Sequence, residues 1–256
     1  PKNLLNAVSL TSVGMGLMGI LGASLAGFVI EWFGAQGVYF FVAALYVWAI
    51  YALSRLPPGS SNINRRSSLW ADLREGLTYL RTVPIVLPLL GIAIVRILLG
   101  WSYRTLMPVY AREVLQFDAR GLGILSAAPS IGSLLGSLAL ASLGDFRGKG
   151  KILLICGLVM GLGLIGFSNT QHFVLALFIL VIVGASRNAT IITNQTLLQE
   201  CCSDEYRGRV MAMYMMTVGL LPLGTIPAGA IADAWGVPIA LTIQGALMAV
   251  IFAGLW

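Results

Sequence analysis

Eight long apolar stretches follow one another along this chain, at about 8–30, 35–54, 84–110, 120–142, 151–168, 172–198, 209–232 and 236–256. Most reach the roughly 17–25 residues that a helix needs to cross a hydrocarbon core, and the longer ones can tilt or extend beyond it. The breakers between them have positional meaning. Gly34, Gly121, Asn169 and Gly236 are expected in tight turns, and Pro84 and Pro88 open the third stretch. Charged residues are only 10% of the 256, against roughly 25% in ordinary globular domains. With a mean hydropathy of +0.88, a water-soluble fold could not cover its surface with polar groups. The expected fold class is therefore all-α integral membrane, a bundle of eight transmembrane helices.

Charge then orients the bundle. Lys2, Arg55, Arg65, Arg66, Arg74, Arg81, Arg147, Lys149, Lys151, Arg207 and Arg209 fall on one side, and only Arg112 and Arg120 on the other. Cytoplasmic segments carry the Lys/Arg excess, so the first side, with both ends of this segment, is read as cytoplasmic in a multi-pass cell membrane protein. The net charge of +6 is thereby a topology signal, and no nucleic-acid motif accompanies it. Three cysteines give no disulfide framework, and no Cys/His cluster has metal-ligand spacing. Cys201 and Cys202 read as small residues rather than a redox pair. No Ser/His/Asp set or phosphate loop appears, so neither an enzyme nor a cofactor is expected. Opening on Pro1 rather than Met suggests a piece of a longer chain.

The one long polar stretch is 56–83. Its first part, PPGSSNINRRSS, reads as flexible, whereas LWADLREGLTYLRTV places Leu69, Leu73, Leu77 and Leu80 on one helical face. That helix either lies at the membrane interface or packs on the bundle. An internal repeat sets the domains. Gly22, Ala26, Gly27, Glu31, Phe33 and Gly34 align without gaps with Gly224, Ala228, Gly229, Asp233, Trp235 and Gly236. Six spans separate the copies; six is even, so both run the same way across the membrane, a parallel repeat of six-helix units. The alternative is chance likeness between Gly/Ala-rich helices. On the repeat reading, 1–55 holds the last two helices of a first half, 56–83 a cytoplasmic linker and 84–256 a complete second half.

The turn Leu143-Gly-Asp-Phe-Arg-Gly-Lys-Gly-Lys151 resembles the cytoplasmic signature G-x-x-x-D-R-x-G-R-K of the major facilitator superfamily. Asp145 and Gly148 match it, while Ala141 and Phe146 depart from it. Leu197, Leu198, Gln199, Arg207, Gly208, Arg209 and Val210 resemble the L-L-Q…R-G-R-V pattern of an efflux subgroup containing macrolide and enterobactin exporters. The match of Gly22–Gly27 to that superfamily's antiporter motif is faint. The resemblance implies helices five to twelve of twelve, a latch at Asp145, Arg147, Gly148, Lys149, Arg207 and Arg209, and export of drug- or siderophore-like compounds by alternating access. A charged turn that merely obeys the topology rule is the competing view of the latch.

Polar residues inside the spans are the candidate cargo site. Each cation at a helix centre costs roughly 2.5–3.5 kcal/mol on insertion scales, so Arg96, Arg104 and Arg187 need an explanation. Arg96, Gly100, Tyr103 and Arg104 are expected on one broad face, with Arg96 and Arg187 at similar depth. With Asn188, Asn194 and Gln195 they form an electropositive cavity wall, or else Arg104 snorkels and Arg187 bonds helix carbonyls. Ser126, Ser130, Ser133 and Ser137, beside Gly132 and Gly136, read as a close-packing stripe, with cavity lining second. Pro129, Pro222 and Pro227 mark candidate bends. Apart from Glu31 and Asp233 near the outer turns, no carboxylate sits in any span, so a proton-coupling acid is expected in helices before Pro1. These features suggest a monomeric proton-driven exporter of small amphipathic organic compounds, with the bilayer as partner. An organic-anion importer or exchanger, and a non-transporting scaffold or sensor, are the alternatives. Half of the cavity wall being absent, the 256-residue chain alone in proteoliposomes is expected to show no flux above empty vesicles.

Overall fold

The structure, a computed structural model, describes residues 36–52, 54–55, 83–143 and 148–256, with Met18, Gly22, Ile30 and 32–34. Most of the first apolar stretch and of the polar linker, and Asp145 and Arg147 of the expected latch, lie outside the described residues. The rest is helical. In chain order the elements are α1 (Gln36–Ala52), α2 (Val86–Gly100), α3 (Ser102–Glu113), α4 (Ala119–Ser142), α5 (Lys149–Ser168), α6 (Phe173–Cys201), α7 (Asp204–Met216), a 3-10 turn (Thr217–Leu220), α8 (Leu221–Trp235) and α9 (Val237–Gly254). Among the described residues, 6 helical spans are long and apolar enough to cross a bilayer: Val86–Glu113, Arg120–Ser142, Lys149–Ser168, Phe173–Cys201, Tyr206–Trp235 and Val237–Gly254. The chain is a multi-pass membrane bundle. Large apolar side chains such as Leu138, Phe178, Ile226 and Val250 stand exposed on the spans, as they do when hydrocarbon is the solvent.

Two stretches that hydropathy reads as single helices are broken. The first breaks at Trp101, where Arg104 N–H bonds the Trp101 carbonyl 3.1 Å away in a tightened turn. Pro108 then follows inside α3 and has no N–H to return to the Arg104 carbonyl. The second breaks at Thr217–Leu220, immediately before Pro222. There the Thr217 hydroxyl bonds the Tyr214 carbonyl at 2.6 Å, adding to the bond from the Thr217 backbone N–H. Of the six spans 86–113 is the most buried and 206–235 the least.

Helix backbones approach closely wherever the small residues fall. A methyl group on Gly132 would lie 1.9 Å from the Val181 carbonyl oxygen, and one on Gly184 2.1 Å from that of Pro129. So α4 and α6 touch main chain to main chain, and the serine–glycine stripe of α4 serves this contact. Gly161 and Gly245 make the same approach between α5 and α9, and a methyl group on Gly224 of α8 would lie 2.2 Å from the Leu98 carbonyl oxygen of α2. The turns are more varied than the glycine pattern suggests. Gly34 and Gly236, aligned in the repeat, both take positive φ, at 67° and 89°. Gly121 does not form the turn expected of it. It sits in the first turn of α4 with its N–H on the Asp118 carboxylate at 3.1 Å, and Gln116, at φ 55°, makes the bend instead.

Replacing Gly132 with alanine is expected to cost about 1–3 kcal/mol, because a main-chain carbonyl cannot step aside. Gly91→Ala, with nothing within 4 Å of the new methyl, should change stability by less than about 1 kcal/mol. Denaturant unfolding in detergent micelles compares the two.

Candidate functional site

Three spans contribute the polar interior. On α2, Arg96 is 4% exposed, so its charge is wholly inside the bundle. One terminal N–H donates to the Tyr214 hydroxyl of α7 at 3.2 Å. Its Nε finds no partner among the described residues. On α6, the Arg187 guanidinium lies over the Trp101 ring, 5.5 Å from the centroid, at the α2–α3 break. Its Nε is likewise buried and unpartnered. The charge of Arg187 reaches Arg96. Neither cation faces a carboxylate among the described residues.

Tyr103 is fully buried, its hydroxyl has no hydrogen-bond partner among the described residues, and the charges of Arg187 and Arg104 reach it. Arg104 parts from the expected face. It is exposed, with its guanidinium carbon 5.4 Å from the Trp101 centroid. One indole thus neighbours two guanidiniums, an arrangement stabilised by the ring's negative face.

The two polar stripes of α6 point to different neighbours. Asn194, fully buried, donates from Nδ2 to the Leu89 carbonyl of α2 at 3.1 Å, leaving its Oδ1 unpaired. Asn188 donates to the Ser133 carbonyl at 3.0 Å and to the Ser137 hydroxyl, both on α4. Gln195 is half-buried. Asn188 therefore joins α6 to α4, while Arg187 and Asn194 reach α2 and its break. Sequence reasoning missed Tyr214 and Trp101, the two aromatic partners of the buried arginines. Inside apolar runs a Tyr or Trp carries no pattern of its own, although polar-tipped rings usually seek partners when buried.

At the end of the bundle where α5 begins and α6 finishes, Lys149 pairs with Glu200. Gly148, at φ 106°, turns the chain into α5. Arg207 Nε donates to the Gln199 carbonyl at 3.2 Å, and Arg209 lies over the Tyr206 ring at 5.3 Å. Gly148, Lys149, Arg207 and Arg209 are thus distributed around the α5 start and the α6–α7 junction. Glu200 joins the latch residues from outside the motif that pointed to them. Cys202 at that junction is buried, and burial raises its thiol pKa, keeping it in the less reactive protonated form.

Comparison with known proteins adds two findings. The model described as Major Facilitator Superfamily matches residues 1–221 and, separately, 89–256. The chain is 23% identical over 240 residues to the staphyloferrin A transporter of Staphylococcus aureus, covering 93% of this chain and 60% of that protein. It is 26% identical over 244 residues to the multidrug efflux pump Tap of Mycolicibacterium fortuitum, covering 91% and 58%. Against the multidrug resistance protein MdtG of Klebsiella pneumoniae it is 25% identical over 197 residues, covering 75% and 47%. The chain spans about half to three fifths of the length of these curated relatives.

Tyr214→Phe is expected to destabilise the bundle by about 1–3 kcal/mol, because a buried guanidinium N–H loses its acceptor. Combined with Arg96→Leu, the loss should fall short of the sum of the two single losses. A coupling energy of about 0.5 kcal/mol or more in a double-mutant unfolding cycle checks this.

Proposed function

Because the chain belongs to the major facilitator superfamily, a superfamily of transporters rather than enzymes, we propose that it acts as a secondary active transporter exporting small amphipathic organic compounds. One observation carries this reading. The relatives it matches over nine tenths of its length bear the names of a siderophore transporter and a multidrug efflux pump. Protons drive the transport, and two six-helix halves rock around a central site. In this scheme 1–55 closes the first half, 56–83 is the cytoplasmic linker and 84–256 is the second half. The ends bearing Lys149, Arg207 and Arg209 face the cytoplasm, in keeping with the Lys/Arg bias.

The interior suits such work physically. An apolar cavity with a few fixed polar groups binds amphipathic molecules without strict shape demands. Arg96, Tyr103 and Arg187 bring donors into the bundle, and the break at Trp101 gives the wall a place to bend. Lys149, Glu200 and Arg207 hold the α5–α6–α7 junction in the state described, as one end of an alternating-access cycle requires.

Everted membrane vesicles carrying the full-length protein test the proposal with a panel of cationic and anionic lipophilic dyes. An imposed proton gradient should drive dye accumulation several-fold above vesicles lacking the protein, and a protonophore should abolish it. Accumulation indifferent to the protonophore would remove proton coupling. No movement of any dye would remove the transporter reading.

A further inference from the structure

Among the described residues Arg96, buried, and Arg187, half-buried, contact aromatic groups and face no carboxylate. Arg96 is held by a phenol and Arg187 lies over an indole, so both side chains are fixed without their charge being neutralised. Each keeps an Nε–H that no described residue accepts, and the charge of Arg187 reaches Arg96. Tyr103 contributes a third unpaired polar atom, a fully buried hydroxyl within reach of the Arg187 charge. Like charges placed together in a poorly screened interior are costly, and unpaired donors there add to the cost.

Different ligands answer this arrangement differently. A cationic ligand would add a third repelling charge. A neutral apolar ligand would leave the donors empty. An oxyanion neutralises the field and accepts from guanidinium N–H groups in charge-assisted bonds, for which the planar Arg fork is suited. Trp101, beside Arg187 and at the break, offers a flat face to whatever body carries the anion. Because Arg96 is 4% exposed and turned toward α7 within the bundle, the ligand is a solute taken inside rather than a lipid on the outer surface. We infer that Arg96 and Arg187 bind the anionic head group, a carboxylate or similar oxyanion, of an amphipathic solute whose apolar body rests against Trp101. This rests on the transporter reading above and names the substrate class for its central site.

Three isosteres separate the possibilities: 2-naphthoate, 2-naphthylmethanol and 2-naphthylmethylammonium, radiolabelled and bound at equilibrium to the purified full-length protein. The native protein should bind naphthoate at least about tenfold more tightly than the alcohol, with the ammonium compound weakest. Arg187→Gln should lower naphthoate affinity about tenfold and leave the alcohol unchanged, while Arg187→Lys, which keeps the charge but loses the fork, falls between. Equal or tighter binding of the ammonium compound would overturn the inference. So would unchanged naphthoate affinity in a folded Arg187→Gln protein. Should that variant fail to fold, the ranking by the native protein decides alone. Flux of the same three compounds in proteoliposomes under a pH gradient reports separately on transport. Naphthoate bound but nothing moved leaves the anion site standing and removes the transporter reading. Ammonium moved and preferred does the reverse.

Discussion

Main-chain contact between helices is the constraint on which the rest of this bundle depends. In hydrocarbon there is no water to expel between apolar helices, so they associate through close packing and through polar side chains that find partners. Here both devices sit on the same pair. The glycines at 132 and 184 let α4 and α6 meet at carbonyl distance, and only at that separation can Asn188 bridge to Ser133 and Ser137. With one face of α6 fixed to α4, the adjoining face directs Asn194 to α2 and Arg187 to Trp101. The placement of Arg187 thus follows from where the glycines fall.

That dependence also shows which parts were legible from residues alone. Six of the eight apolar stretches correspond to described spans, because length and hydropathy report directly on what a bilayer requires. The serine–glycine stripe was readable for the same reason: small residues at helical spacing have few other uses in a membrane. The breaks were not. Pro108 and Pro222 announce lost hydrogen bonds, but where the strain is released depends on neighbours, and it emerges at Trp101 and at Thr217–Leu220. Arg104, expected beside Arg96, is exposed and shares the Trp101 ring with Arg187. Asn188 and Asn194 looked alike in the sequence and part company because helical rotation aims them at different helices.

Among the candidate site residues, Arg96 and Arg187 were visible because an ionised group in an apolar run is improbable without a reason. Their partners were invisible, since Tyr214 and Trp101 blend into hydrophobic surroundings. The same asymmetry holds at the end of the bundle. The basic residues stood out as a motif, whereas Glu200, which pairs with Lys149, is one ordinary acid at a helix terminus.

The interruption at Thr217–Leu220 has a neighbour that changes its mechanical meaning. Before it, Tyr214 receives the Arg96 hydrogen bond; beyond it, Gly224 rests on the Leu98 carbonyl. Both attachments belong to the uninterrupted run of α2, which therefore lies across the weak point like a splint across a fracture. Flexing at Thr217–Leu220 requires one of those two attachments to slide, and Leu98 is only three residues from Trp101. The interruption at Thr217–Leu220 is therefore braced by a helix that itself ends beside the other break.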